Sequence, residues 1–214
     1  MMILGLTGSI GMGKSRATRA FARQGATIWD ADAAVHRLMA CGGAAVTPVT
    51  AEFPESRVEE SGSTAVDRAV LGNLVFQDKA ALCRLESILH PFVRSAERRF
   101  LASVESRRCR LVVLDIPLLF ETGGEVRCDA TAVVSAPAFV QRARVLARPN
   151  MTVSKYDAIL ARQLPDEEKR RRADFLIRTG LNKRASEQAV RRIAEILSTR
   201  RGTHWPLSWP VQAS

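Results

Sequence analysis

Gly8-Ser9-Ile10-Gly11-Met12-Gly13-Lys14-Ser15 has a glycine, four open positions, then Gly-Lys-Ser. Glycines at these places let the chain turn tightly enough for consecutive N–H groups to point inward, which is what an anion such as a nucleotide phosphate needs. Lys14 can then reach the β- and γ-phosphates, and Ser15 can reach a Mg²⁺ ion carried on them. The flanks fit the same reading. Met2-Ile3-Leu4-Gly5-Leu6 is a short apolar run suited to a buried strand. From Lys14 to Arg23, Ala17, Ala20 and Phe21 recur at helical spacing, and Gly25 is placed to close the helix. A strand, a glycine loop and a helix N-terminus in succession add the helix dipole to the amides of the loop.

Working outward, Thr27-Ile28-Trp29, Leu111 to Leu114, Thr131 to Val134 and Phe175-Leu176-Ile177 read as four more strands. Near-continuous apolar strands separated by helical segments predict a parallel sheet covered on both faces. Residues 41–64 carry Gly, Pro, Ser, Thr and Glu and read as loop and irregular structure. Residues 67–106 read as helices, with Leu82, Leu85, Ile88 and Leu89 as an apolar stripe and Pro91 as a break. This stretch has the character of an insertion able to wall the nucleotide end of the sheet. Pro137 to Ala147 predicts a helix with proline in its first turn, broken at Arg148-Pro149-Asn150. Ser154 to Asp157 and Pro165 to Glu168 predict capped starts of two further helices. Two helices meeting at an arginine-bearing break suit a lid that closes over a triphosphate, and a plain helical hairpin fits the same pattern. The last helix is expected over about Ser186 to Arg200, burying Val190, Ile193, Ile196 and Leu197. Residues 201–214, with Trp205, Pro206, Trp209 and Pro210, are expected to be a loosely docked tail.

Composition narrows the class. A chain of 214 residues with 46% hydrophobic and 25% charged residues can bury a full core and is expected to form one domain with insertions. No apolar stretch has the length or flanks of a leader or a membrane span. Cys41, Cys83, Cys109 and Cys128 show no metal-ligand or redox spacing, and read as mostly buried free thiols in a reducing cytosol. The net charge of +10 taken alone suggests nucleic acid. The arginines, however, are dispersed over several elements (98–99, 107–108, 170–172, 191–192, 200–201), with no aromatic platform between them. Most are expected on solvated helix faces, and a subset is suited to polyanionic small molecules.

Carboxylates supply the remaining candidate chemistry. Asp30-Ala31-Asp32 follows the second strand, and Asp115 ends the third. In an open parallel sheet the carboxyl ends of the strands border the ligand crevice. Asp30 and Asp32 are placed to face a transferred phosphate, and one of them to cap the next helix. Asp115 is placed to support the Mg²⁺ shell, or simply to cap its strand.

Taken in order, Leu4 to Ser15, Asp30-Ala31-Asp32, Leu89-His90-Pro91 and Asp115-Ile116-Pro117-Leu118-Leu119-Phe120-Glu121 resemble the dephospho-CoA kinase family. So do Gln141, Arg144 and Arg148, then Gln163 and Ala173-Asp174-Phe175. The resemblance covers residues 2 to about 197. It implies an α/β fold of the P-loop NTPase/kinase type: a parallel five-stranded sheet covered by helices, with a helical substrate-binding insertion and a helical lid. It implies a single P-loop kinase domain over 1–214, with core segments about 1–40, 107–138 and 173–200, insertion 41–106, lid 139–172 and tail 201–214. It also implies ATP with Mg²⁺ as cofactors, and phosphorylation of the ribose 3′-hydroxyl of dephospho-CoA, the last step of coenzyme A synthesis.

By that resemblance Asp32 matches the catalytic carboxylate, placed to orient the hydroxyl and accept its proton. Gly8 and Gly11 through Arg16 (Met12, Gly13, Lys14 and Ser15 between them) match the phosphate-binding turn. Asp115 matches the Asp-x-Pro-Leu-Leu block, and Arg144 and Arg148 match the lid arginines. Of the catalytic candidates, Lys14 would hold the β/γ-phosphates, and Arg144 and Arg148 would offset charge in the transition state. Asp32, His90 and Asp115 are candidates at the acceptor, and Ser15 and Asp115 at the metal. A helix-terminal or core histidine is the plainer reading of His90. Four positions depart from the family pattern: Arg16 stands in place of Thr, Pro149 in place of Asp, and Arg178-Thr179 in place of Asp-Asn. A cytoplasmic monomer acting on small molecules, with no nucleic-acid or membrane partner, is expected. The alternatives are another small-molecule P-loop kinase for a nucleoside or nucleotide, and a nucleotide-dependent nucleic-acid-binding protein. A guanine-reading Asn-Lys-x-Asp element is missing, since Asn182-Lys183 is followed by Arg184-Ala185.

Overall fold

The computed structural model describes residues 1–60, 62–76, 78–180 and 182–206. The chain divides into two compact units: Met1–Trp29 with the described residues from Val104 on, and Asp30–Ser103.

The larger unit holds the sheet. Its strands are β1 (Met2–Thr7), β2 (Thr27–Asp30), β5 (Leu111–Asp115), β6 (Ala130–Ser135) and β7 (Phe175–Arg178), side by side in the order β2-β5-β1-β6-β7. β1 runs parallel to β5 with Leu4 opposite Val113, and parallel to β6 with Leu4 opposite Ala130. All residues of β1, β5 and β6 are buried. That explains their unbroken apolar character: a central parallel strand has no solvent face to mark with polar residues. Helices α1 (Lys14–Arg23) and α9 (Lys183–Ser198) share one core with the sheet, through Ala17, Ala20 and Phe21 and through Val190, Ile193, Ala194 and Leu197. Helices α6 (Ala138–Leu146), α7 (Val153–Ala161) and α8 (Asp166–Arg172) fill the stretch between β6 and β7.

The smaller unit packs α2 (Ala31–Met39), α3 (Val46–Glu52), α4 (Arg68–Phe76), α5 (Lys79–Ser106, running on past the unit boundary) and the hairpin β3 (Arg57–Glu60) with β4 (Ser63–Val66). Its core joins Leu38, Val46, Val49, Phe53, Val66, Leu71, Leu85 and Leu89.

Several expectations are corrected. Residues 41–64 are not irregular: they hold α3, a 3-10 turn at Pro54–Ser56 and the hairpin. Every residue of β3 is exposed, so that strand has no apolar alternation to reveal it. Pro91 does not break the chain, because α5 runs through it for 28 residues. Proline forfeits one intrahelical bond, to the Ser87 carbonyl four residues back. Burial of Leu85 and Leu89, with Phe92 and Val93 packed against the same core, carries the helix across that gap. Thr152 rather than Ser154 caps α7, accepting from the Lys155 N–H at 3.2 Å. Asp166 opens α8 without capping it; its carboxylate accepts from Ser135 Oγ at 2.7 Å.

α9 begins at Lys183 behind an Asn182 cap, and Ile196 is exposed where Ala194 is buried. Cys41 and Cys83 are exposed, Cys109 is half-buried, and Cys128 alone of the four is buried. Residues 203–205 are tied down rather than loose. Asp129 Oδ1 accepts from the N–H groups of Thr203 (2.6 Å) and His204 (3.0 Å), and Trp205 Nε1 donates to Glu105 at 2.7 Å. Trp209 and Pro210 lie outside the described residues. Among the described residues no helix is long and apolar enough to cross a membrane.

Candidate active site

The loop from Gly8 to Gly13 joins the C-terminal end of β1 to the N-terminus of α1. Gly13 is the cap residue, with a left-handed φ of 91°, and no side chain caps the helix. A Cβ at Gly11, whose φ is 78°, would collide with Val145 Cγ2 of α6, so the loop passes too close to that helix for any larger residue. Met12 N–H closes a turn onto the Ser9 carbonyl at 3.1 Å, and Ile10 N–H donates to Gln163 Oε1 at 3.0 Å. The amides of Gly11, Gly13, Lys14 and Ser15 are left with no acceptor among the described residues. Four such donors at the start of a ten-residue helix suit an anion, and the helix dipole adds to them.

Two members of the expected set have committed groups. Met12 is buried, with its amide in the turn and its Sδ accepting from Ala136 N–H at 3.1 Å. Arg16 donates its amide to the Gly13 carbonyl at 3.1 Å and turns its guanidinium to Glu187 at 3.2 Å.

Lys14 Nζ pairs with Asp115 Oδ1, and Thr18 Oγ1 donates to Asp115 Oδ2 at 2.6 Å. The pair brings the C-terminal end of β5 against the first turns of α1. Asp115 is buried, at 4% exposure, and Ser15 is exposed one residue beyond Lys14. Arg144 lies against the loop: Nη2 donates to the Thr179 carbonyl at 2.7 Å, and Nη1 to Thr179 Oγ1 at 3.2 Å and the Gly11 carbonyl at 3.4 Å. Thr179 in turn donates its hydroxyl to the Met12 carbonyl. Arg148 stands exposed just past the end of α6. Beside the loop is a cavity of about 550 Å³, lined by Met12, Pro137, Gln141, Asp166, Arg178 and Asn182 among others.

Asp32 and His90 belong to the smaller unit. Asp32 sits in the first turn of α2, where Asp30 is the cap and accepts from Ala33 N–H at 2.9 Å. His90 is exposed in the interior of α5, so it is neither helix-terminal nor a core histidine.

Sequence reasoning missed Thr18 and Thr179 as supports of the loop. Thr18 carries a usable signal, one helical turn after Lys14 on the same face. Thr179 carries none, since only the folded chain brings position 179 under the loop. Gln141 and Gln163 entered the reading through resemblance alone.

The donor set fits Mg²⁺·nucleotide. A hydroxyl at Ser15 and a carboxylate at Asp115 are hard oxygen ligands, and Mg²⁺ takes few protein oxygens when phosphates and waters supply the rest. Among the described residues no group of three or more His, Cys, Asp or Glu is placed to hold a metal by itself.

Comparison with known proteins extends this geometry to a lineage. The family model described as dephospho-CoA kinase matches residues 2–184. A dephospho-CoA kinase of Paramagnetospirillum magneticum is 63% identical over 79% of this chain and 78% of its own length. One of Mesorhizobium japonicum is 52% identical over 95% of this chain and all of its own. Among solved structures, TT1252 from Thermus thermophilus is similar with a TM-score of 0.75 and 34% identity, over 94% of this chain and 98% of that one. A match across 183 residues, on top of the phosphate loop and its Lys14–Asp115 pair, places the chain plainly: it belongs to the dephospho-CoA kinase family.

Proposed function

We propose that this chain transfers the γ-phosphoryl group of ATP to the ribose 3′-hydroxyl of dephospho-CoA, the final step of coenzyme A synthesis, as a single P-loop kinase domain working in the cytoplasm. The observation that carries the reading is the set of four amides, at Gly11, Gly13, Lys14 and Ser15, that have no acceptor among the described residues, with Lys14 and Asp115 beside them, in a chain of this family.

Phosphoryl transfer asks the protein chiefly to position its reactants and to offset charge. The amides hold phosphate oxygens, and Lys14 exchanges Asp115 for the β/γ-phosphates. When bound, Mg²⁺ supplies charge neutralisation across those phosphates, with Ser15 and Asp115 as the oxygens of this chain that would hold it. Arg144 borders the loop and Arg148 reaches in from the lid, both opposing the negative charge that develops on the phosphoryl group. Asp32 orients the acceptor hydroxyl and takes its proton. The cavity lined by Met12, Gln141 and Asn182 offers room for the nucleoside of ATP. His90 contributes to the acceptor side.

The test is a phosphate-transfer assay with ATP·Mg and a panel of acceptors. Dephospho-CoA is phosphorylated, while AMP, adenosine and shikimate are poor acceptors. Efficient transfer to AMP with none to dephospho-CoA overturns the proposal.

A further inference from the structure

Ile10 is held on both sides of its backbone by glutamines from opposite ends of the lid. Its N–H donates to Gln163 Oε1 at 3.0 Å, and its carbonyl accepts from Gln141 Nε2 at 2.8 Å. Gln141 lies on α6, is 5% exposed, and has its own Oε1 3.5 Å from the hydroxyl of buried Tyr156 on α7. Gln163 lies between α7 and α8, and the next residue is anchored. Leu164 N–H donates to Glu121 Oε1 at 2.9 Å, and Lys169 Nζ, on a side chain with no exposure, sits 2.8 Å from the same oxygen. Glu121 follows β5, six residues after Asp115. A largely buried ion pair therefore anchors the segment that carries Gln163.

The consequence lies in the loop. With Ile10 clamped, the amides of Gly11, Gly13, Lys14 and Ser15 that follow it stay without an acceptor among the described residues. Releasing Ile10 gives the peptide units around it room to rotate, so these amides must be ordered when a phosphate arrives. Preorganised donors are worth more than donors that must be ordered on binding.

We propose that Gln163, anchored through Glu121 and Lys169 and opposed by Gln141, is a positioning residue that sets the phosphate-binding loop and thereby controls affinity for the triphosphate, not for the acceptor. This rests on the reading of the loop as the ATP site. Gln163→Met keeps side-chain length but removes the acceptor, and Gln141→Leu removes the donor on the other side. Each is compared with the unaltered enzyme in Kd for Mg·ADP by calorimetry, KM for ATP, KM for dephospho-CoA and thermal midpoint. Loss of one hydrogen bond that orders the site is expected to raise the Mg·ADP Kd and the ATP KM by about five- to twentyfold. The dephospho-CoA KM should stay within about twofold, because neither glutamine is placed at the acceptor. Gln163→Met is the decisive variant, because Gln141 also lines the cavity beside the loop whereas Gln163 is not among its lining residues.

A purely structural role would lower the melting temperature and leave these constants unchanged in the folded enzyme, or move all of them together; either result overturns the clamp. If the unaltered enzyme itself binds no Mg·ADP, the reading of the loop fails and the clamp with it. Normal binding by the unaltered enzyme with equal binding by both variants rejects the clamp alone.

Discussion

Lys14 Nζ pairs with Asp115 Oδ1, so the first residue of α1 is held by the last residue of β5, 101 positions later in the chain. Both oxygens of Asp115 are engaged, one by Lys14 and one by Thr18. On the proposed reading, nucleotide binding would draw Lys14 from Asp115, whose carboxylate would then be one of the oxygens that hold Mg²⁺. Asp115→Asn is expected to lower kcat/KM for ATP by about 10²–10³, the usual worth of one preorganised electrostatic group, and to shift the Mg²⁺ requirement upward. A Mg²⁺ titration of initial rates checks this; an unchanged Mg²⁺ dependence confines Asp115 to holding Lys14.

Asp30 and Asp32 separate by role. Asp30 is occupied as the α2 cap, accepting from Ala33 N–H. Asp30→Ala should cost about 0.5–2 kcal/mol of stability, measured by urea unfolding. Asp32→Asn should instead lower turnover by about 10²–10⁴ with Mg·ADP affinity nearly unchanged. Equal loss of turnover in Asp30→Asn and Asp32→Asn would indicate a shared structural or metal-binding role for the two.

Arg144 and Arg148 should differ. Arg144 is bonded to Thr179 and Gly11, whereas Arg148 is exposed beside Pro149 and Asn150, the latter at a left-handed φ of 58°. Arg148→Ala should cut kcat far more than it raises the dephospho-CoA KM, because the charge it meets develops on the phosphoryl group. Arg144→Ala should also weaken Mg·ADP binding, since it loosens the loop. Protease cleavage at 148–154 should be fast without ligand and suppressed by ATP·Mg. Protection by dephospho-CoA alone would assign the segment to the acceptor.

Acid should release the segment that follows α9. Burial raises the pKa of the Asp129 carboxyl, but donors from Thr203, His204 and Ile3 outweigh it and hold the group below its ordinary value of 3.8. A depressed folded-state pKa means stability that is present above the unfolded value and lost as pH falls through the lower folded one. The unaltered protein should therefore lose stability below about pH 4, and Asp129→Ala should show lower stability at neutral pH with a shallower acid limb. Urea midpoints from pH 2 to 7 test this; parallel curves for the two proteins would remove Asp129 as the cause.

Much of this molecule is written locally. The turn from Gly8 to Ser15 needs only glycines at places where the backbone bends and a lysine at the head of a helix, so its chemistry is legible from spacing. Of the five strands in the large sheet, β1, β5 and β6 are legible because full burial requires unbroken apolar runs. Helix α1 is legible because its buried alanines and Phe21 repeat at 3.6 residues. Tertiary structure alone decided what these pieces do to one another. Packing energy in the smaller unit carried α5 through Pro91 and built a hairpin from strands with no apolar rhythm. Contacts more than 100 residues apart in sequence set Lys14 against Asp115 and closed Gln141 and Gln163 on Ile10. A hydrogen bond between distant positions leaves no period or composition in the chain, because its partners need only the right atoms and the fold supplies the distance.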